Sequence, residues 1–153
     1  MDARQPVWSP DGKQIAFALR RNADVYQIWL MSDTGKDPQQ LVRSGDQYSD
    51  TNPEWSPDGK LILFHQTKVG KFSFPNLVMM LMEPDATPVI LNMGVLSINN
   101  VDYSPDGFWL AYENTGEHGV DIYYMTVMGA EKTALAADAA DDFDPAWQPF
   151  PKP

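Results

Sequence analysis

Four segments of this chain overlay on one another: PVWSPDGK from Pro6, PEWSPDGK from Pro53, VDYSPDGF from Val101 and PAWQPF from Pro145. Their aromatic residues, Trp8, Trp55, Tyr103 and Trp147, are spaced by 47, 48 and 44 positions. A period in this range means that copies of one supersecondary unit build the chain, each burying its apolar face against its neighbour. The register also holds inside each copy. A second aromatic follows nine positions after the first, at Phe17, Phe64 and Tyr112. An apolar run ending in methionine comes next, at Ile28–Met31, Met79–Met82 and Ile122–Met125. A last short apolar stretch carries Leu41, Leu91 or Leu135.

Each copy reads as four short strands, A to D. Ser-Pro-Asp-Gly supplies the A–B turn: Pro presets φ, the Asp side chain bonds the local backbone, and Gly accepts the final position. Strand B is expected over Gln14–Leu19, Leu61–Gln66 and Trp109–Asn114, strand C over the methionine-ended run, and D as a short edge strand. Four-stranded antiparallel units at this period are β-propeller blades, which close in rings of 4 to 8. The fold class expected is therefore all-β, with three blades at about 6–52, 53–100 and 101–144 and a closing strand at 145–150. Three blades cannot close a ring. A portion of a longer propeller is the first explanation, a homodimer completing six blades the second, and an open arc the last, because an arc leaves strand edges and blade faces bare.

The pattern P-x-W-S-P-D-G-K, then I-A-F, then I-W/Y-x-M, then D-x-G, then L, resembles the TolB-type β-propeller repeat over about residues 6–150. Blades one and two match it closely through PVWSPDGKQIAF and PEWSPDGKLILF, whereas blade three has Val101 and Asp102 for the Pro-x pair and Tyr103 for Trp. The closing Asp-Pro-Ala-Trp-Gln-Pro is similar to the degenerate last motif of such propellers. The resemblance implies the fold first. It also implies a non-enzymatic scaffold for protein or ligand binding in a periplasmic or extracellular setting, although the chain shows no signal peptide. The alternative it carries is a propeller accompanying a prolyl-oligopeptidase-like hydrolase whose catalytic domain is absent here. A lyase branch of the family uses several metal-bound histidines. This chain has two, His65 and His118, both expected to face solvent, so no metal site follows.

Composition narrows the function further. In 153 residues, 43% hydrophobic and 12% aromatic content excludes a disordered chain. Thirteen prolines and ten glycines spread along it fit short strands between turns. A net charge of −10 leaves no basic patch to release counterions from a phosphate backbone, which excludes nucleic acid as a partner. No run reaches the length of a membrane span, so membrane insertion is not expected. With no cysteine there is neither a disulfide nor a thiolate nucleophile. No nucleophile elbow, phosphate loop or zincin motif occurs, and no cofactor is implied.

Candidate binding residues come from two places. The loop leading into each strand A lies nearest a propeller's axis, and Asp50-Thr51-Asn52-Pro53 overlays Asp142-Phe143-Asp144-Pro145, with Asn100 at the matching place in blade three. Asp50, Asn52, Asn100 and Asp144 thus form a candidate channel rim, the plainer reading being Asx side chains that fix the loop. The B–C loop of blade two, Lys68–Asn76, is the longest insertion and sets Lys71, Phe72 and Phe74 together in an acidic chain, a candidate partner contact. Two other features are expected to be structural. The Trp8/Trp55/Tyr103/Trp147 series recurs at one strand position, as packing residues do. Asp138, Asp141, Asp142 and Asp144 lack the Gly and Glu of a calcium loop and read as solvated.

Overall fold

In the computed structural model, residues 2–22, 25–70, 73–91, 97–116, 119–136 and 140–148 are described. They form three four-stranded antiparallel sheets. The first holds β1 (Ala3–Trp8), β2 (Gln14–Asn22), β3 (Val25–Ser32) and β4 (Gln39–Gln40), in chain order. The second holds β5 (Tyr48–Trp55), β6 (Leu61–Lys68), β7 (Asn76–Leu81) and β8 (Val89–Ile90). The third holds β9 (Ile98–Tyr103), β10 (Trp109–Thr115), β11 (Val120–Thr126) and β12 (Thr133–Ala136). Three four-stranded antiparallel sheets match the expected fold class, but residues 145–148 of the expected closing strand at 145–150 form no strand, and 149–150 lie outside the described residues. The chain divides into two compact units, Met1–Ile90 with the first two sheets and Leu91–Pro153 with the third.

The Ser-Pro-Asp-Gly turn is built the same way three times. In the first, Ser9 Oγ donates to Asp11 Oδ1 at 2.7 Å, while Asp11 Oδ1 also accepts from Lys13 N and Ser9 Oγ accepts from Gln14 N. Ser56/Asp58 and Ser104/Asp106 repeat the arrangement. The glycine amide closes the turn onto the serine carbonyl at 2.8–2.9 Å, and Gly12, Gly59 and Gly107 sit at φ of 72°, 71° and 75°, where a side chain would be strained. These bonds to the ionised form, the serine hydroxyl first and the backbone amide second, hold the three carboxyls below their usual range.

Each A strand starts before its Pro position, a difference from the expected boundaries. Gln5, Asn52 and Asn100 take left-handed φ values of 53°, 52° and 43° just before Pro6, Pro53 and Val101, and the ladder shifts register there. A bulge explains this. Proline has no N–H to give the ladder, and a single αL residue re-aims the strand so that pairing resumes on its far side. Rim residues Asp50, Asn52 and Asn100 therefore lie within strands, not in loops leading to them.

In the first unit the core lies between its two sheets. Trp55, Phe64, Ile62, Val78 and Met80 pack with Ala16, Ala18, Ile28 and Leu30 of the first sheet. In the second unit Leu110, Ala111, Tyr112 and Met125 are buried, Tyr112 stacks on Tyr123 with centroids 6.0 Å apart, and Trp109 meets Tyr124 edge-on. The expectation for the aromatic series needs correction at its first member. Trp55 and Tyr103 are 5% and 6% exposed, but Trp8 is 54% exposed. Trp55 lies in a core made with the preceding sheet, and no described element plays that part for Trp8. Trp147 is half-buried. Its backbone N donates to Asp102 Oδ2 at 2.7 Å and its indole Nε1 to the Asp102 carbonyl at 3.2 Å.

Candidate functional site

The inner strands bring the candidate rim residues into two groups, one in each unit. In the first unit, Gln5 and Asn52 occupy the same bulge position of successive sheets and bond twice. Gln5 Nε2 donates to Asn52 Oδ1 at 2.6 Å, and Asn52 N donates to Gln5 Oε1 at 3.0 Å. In the second unit, Asn100 Nδ2 donates to Glu113 Oε1 at 2.6 Å and to Asp144 Oδ1 at 3.2 Å, while Asp144 N donates to the same Glu113 oxygen at 2.8 Å. Asp144 carries the same left-handed backbone, φ 53°. A non-glycine residue there costs roughly 1–3 kcal/mol, and a bond to the next bulge offsets that cost in both units. Gln5, Asn100 and Asp144 are exposed and Asn52 is half-buried, so polar atoms of both groups reach solvent.

Asp50 does not belong to this surface. It is fully buried, with Oδ1 accepting from Gln66 Nε2 at 3.0 Å and Oδ2 without a partner. Burial raises its carboxyl above the usual range, and hydrogen bonds from Ser44 and Gln66 oppose the rise. The alternation of β5 turns it inward, away from where a loop residue would sit. Lys71 and Phe72 lie outside the described residues; Phe74, beside them, is 47% exposed.

Two members of the groups escaped sequence reasoning. Gln5 stands directly before Pro6 as Asn52 stands before Pro53, so the repeat contained the signal in the offset, although Gln is not an Asx residue. Glu113 had no signal, because the matching positions in β2 and β6 are Ala18 and His65. His65 corrects another expectation. It is 6% exposed, and burial lowers its pKa to about 4, so it is a neutral core residue at pH 7. His118 lies outside the described residues.

The acidic stretch near the end of the chain is also not simply solvated. Asp141 Oδ1 accepts from Val120 N at 2.9 Å and Asp142 N donates to Val120 O at 2.7 Å, so the two tie this segment to the start of β11. Asp142 Oδ2 is buried and unpartnered. Asp138 is outside the described residues. Among the described residues, no three His, Cys, Asp or Glu side chains converge as metal ligands would.

Four-stranded antiparallel blades with a repeated inner-strand bulge define a β-propeller architecture, and comparison with solved structures narrows it to the TolB-like form. The chain is similar to a protein assigned as TolB in Agrobacterium tumefaciens (TM-score 0.76, 22% identity, 91% of this chain and 48% of that one). It is similar to TolB from Acinetobacter baumannii (TM-score 0.69, 18% identity, 90% and 33%) and to an oligogalacturonate lyase in complex with manganese (TM-score 0.66, 16% identity, 89% and 36%). It thus spans half or less of the length of each. No protein-family model matches the chain, and no curated protein sequence does.

Proposed function

We propose that this chain is a non-enzymatic propeller scaffold that binds a protein or small ligand through the polar residues of its inner-strand bulges, Asn52, Asn100 and Asp144, joined by Gln5 and Glu113. The observation that carries the reading is the repetition of one device. The same strand position holds a left-handed polar residue in every sheet and again at Asp144, and each is fixed by a neighbour while keeping polar atoms open to solvent. Within each unit, donors and acceptors preorganised by these bonds suit recognition, since little entropy is lost on binding. The likeness to TolB structures supports a binding role and a periplasmic or extracellular setting.

Trp8 bears on assembly. Its counterpart Trp55 is covered by a preceding sheet, so we place another blade over Trp8, from a longer chain or from a second copy. Light scattering separates the two, because only the second gives twice the 17.2 kDa of the chain.

The rim reading is tested by selecting binders to the folded chain from a displayed random-peptide library and re-measuring them on Asn52→Gly, Asn100→Gly and Asp144→Gly. Glycine removes the side chain without straining the left-handed backbone. Binding at least tenfold weaker, with the circular dichroism spectrum kept, supports the proposal. Unchanged binding refutes it.

A further inference from the structure

A cleft of about 710 Å³ opens in the first unit beside the outer strands of its two sheets. It lies in the size range of ligand sites. Its floor is apolar and buried, made by Leu30, Val42, Val78 and Met80. One side is β4 with the residues that follow it to Ser44. The other is the stretch after β7, which presents Glu83, Asp85 and Ile90, the last 48% exposed. Both β4 and β8 are two-residue strands at the ends of their sheets, so each has one side without a ladder partner.

Acidic side chains outnumber basic ones along the cleft. Glu83 and Asp85 are exposed and make no ion pair among the described residues, and Arg43 is the single cation of the lining. Further in, Gln66 is 9% exposed, and its amide bridges Ser44 Oγ at 2.9 Å and the buried carboxyl of Asp50 at 3.0 Å. Asp50 Oδ2 has no hydrogen-bond partner among the described residues, so a buried carboxyl group stands behind the lining residues Ser44 and Gln66. An apolar floor, acidic residues at the mouth and sheet edges alongside specify one kind of ligand.

We propose that this cleft binds an extended basic peptide, setting an aliphatic side chain on the Leu30–Val78–Met80 floor and a lysine or arginine against Glu83 and Asp85. A strand-like ligand suits the edges of β4 and β8, which offer main-chain bonds, while alternate side chains meet the floor and the acids. The site shares no residue with the inner-strand bulges, so it stands or falls apart from the scaffold reading above.

The test is a titration of the full, ¹⁵N-labelled chain with the blocked peptide Val-Lys-Val-Lys-Val, followed by backbone amide shifts, with Val-Glu-Val-Glu-Val as control. Saturable shifts confined to residues 39–44 and 78–90 are expected, at least tenfold tighter for the lysine peptide and weakening with salt. The exposed-site variants Glu83→Lys with Asp85→Lys, and Ile90→Lys, spare the core and should each weaken binding tenfold or more. Absence of saturable shifts at millimolar peptide overturns the proposal, as do equal binding of the two peptides and indifference to the charge reversal. If the same amides shift with chain concentration alone, a second copy occupies the cleft, and the peptide assignment is again overturned.

Discussion

Trp8 and Trp55 hold the same place in the repeat, yet the structure surrounds one with protein and leaves the other 54% exposed, so truncating each in turn measures what the neighbouring sheet contributes. A fully buried Trp removes up to roughly 250 Å² from water, or ~6 kcal/mol at ~25 cal/mol per Å². Alanine keeps part of that area and neighbours relax, so Trp→Ala in a core costs about 3–5 kcal/mol. Trp55 Nε1 is buried without a partner, and its removal relieves an unsatisfied donor. The expectation for Trp55→Ala is therefore the lower end, about 3 kcal/mol. At Trp8 roughly half the side chain is already in water and truncation opens no enclosed cavity, which puts the cost near 1 kcal/mol. Urea unfolding followed by far-ultraviolet circular dichroism resolves the difference. With m of about 2 kcal/mol/M the two midpoints should stand about 1 M apart. The measurement belongs at a dilution where light scattering shows a monomer, so that no second copy covers Trp8. Equal losses for the two variants would refute the assignment of Trp55 to an inter-sheet core and of Trp8 to an open face.

The buried titratable groups of the first unit work in opposite senses. His65 has a folded pKa near 4, below its unfolded 6.5, so its contribution is full above pH 6.5 and is lost as pH falls toward 4, by up to ~3 kcal/mol. His65→Leu should flatten that acid-side slope in urea midpoints taken from pH 4 to 8. Asp50 has its folded pKa raised above 3.8, so its contribution is full below the unfolded value and is lost as pH rises through the folded one. Asp50→Asn should remove that loss, and a variant whose pH profile matches the parent's on the alkaline side would count against a buried, unpaired carboxylate. Gly119 sits at φ 136°, and a Cβ there would overlap Asp141 Oδ1. Gly119→Ala should break the Asp141–Val120 bond, visible as faster amide exchange at Val120, whereas Gly116→Ala, with open space around it, should not.

How far the sequence carried differs between the blades and the site. The period of 47, 48 and 44, the Ser-Pro-Asp-Gly turns and the inner aromatics are local or periodic features, and each followed from the residue types involved. Turn chemistry acts within a few residues, and a repeat reports its own packing positions by recurring. Phe17, Phe64 and Tyr112 are accordingly 7%, 0% and 0% exposed. The bulge residues were legible as an offset before proline. Their left-handed backbone and their pairing, Gln5 with Asn52 and Asn100 with Asp144, were not, because partners 47 and 44 residues apart meet only in the folded chain.

Where the reading failed, the cause was solvent exposure, which no single position encodes. His65 and Asp50 lie on strands of the same blade, and either could have faced water; the side of the sheet covered by a neighbour made one a neutral core residue and the other a buried carboxyl with one oxygen unpartnered. Trp8 shows the converse, a packing residue by sequence left open because nothing described covers it. The cleft under β4 and β8 was beyond sequence altogether, since its walls come from stretches that the chain order separates. The sequence by itself determined what each blade is and how it turns. Only the tertiary structure decided which faces are covered, because burial belongs to the contact between blades and not to the blade alone.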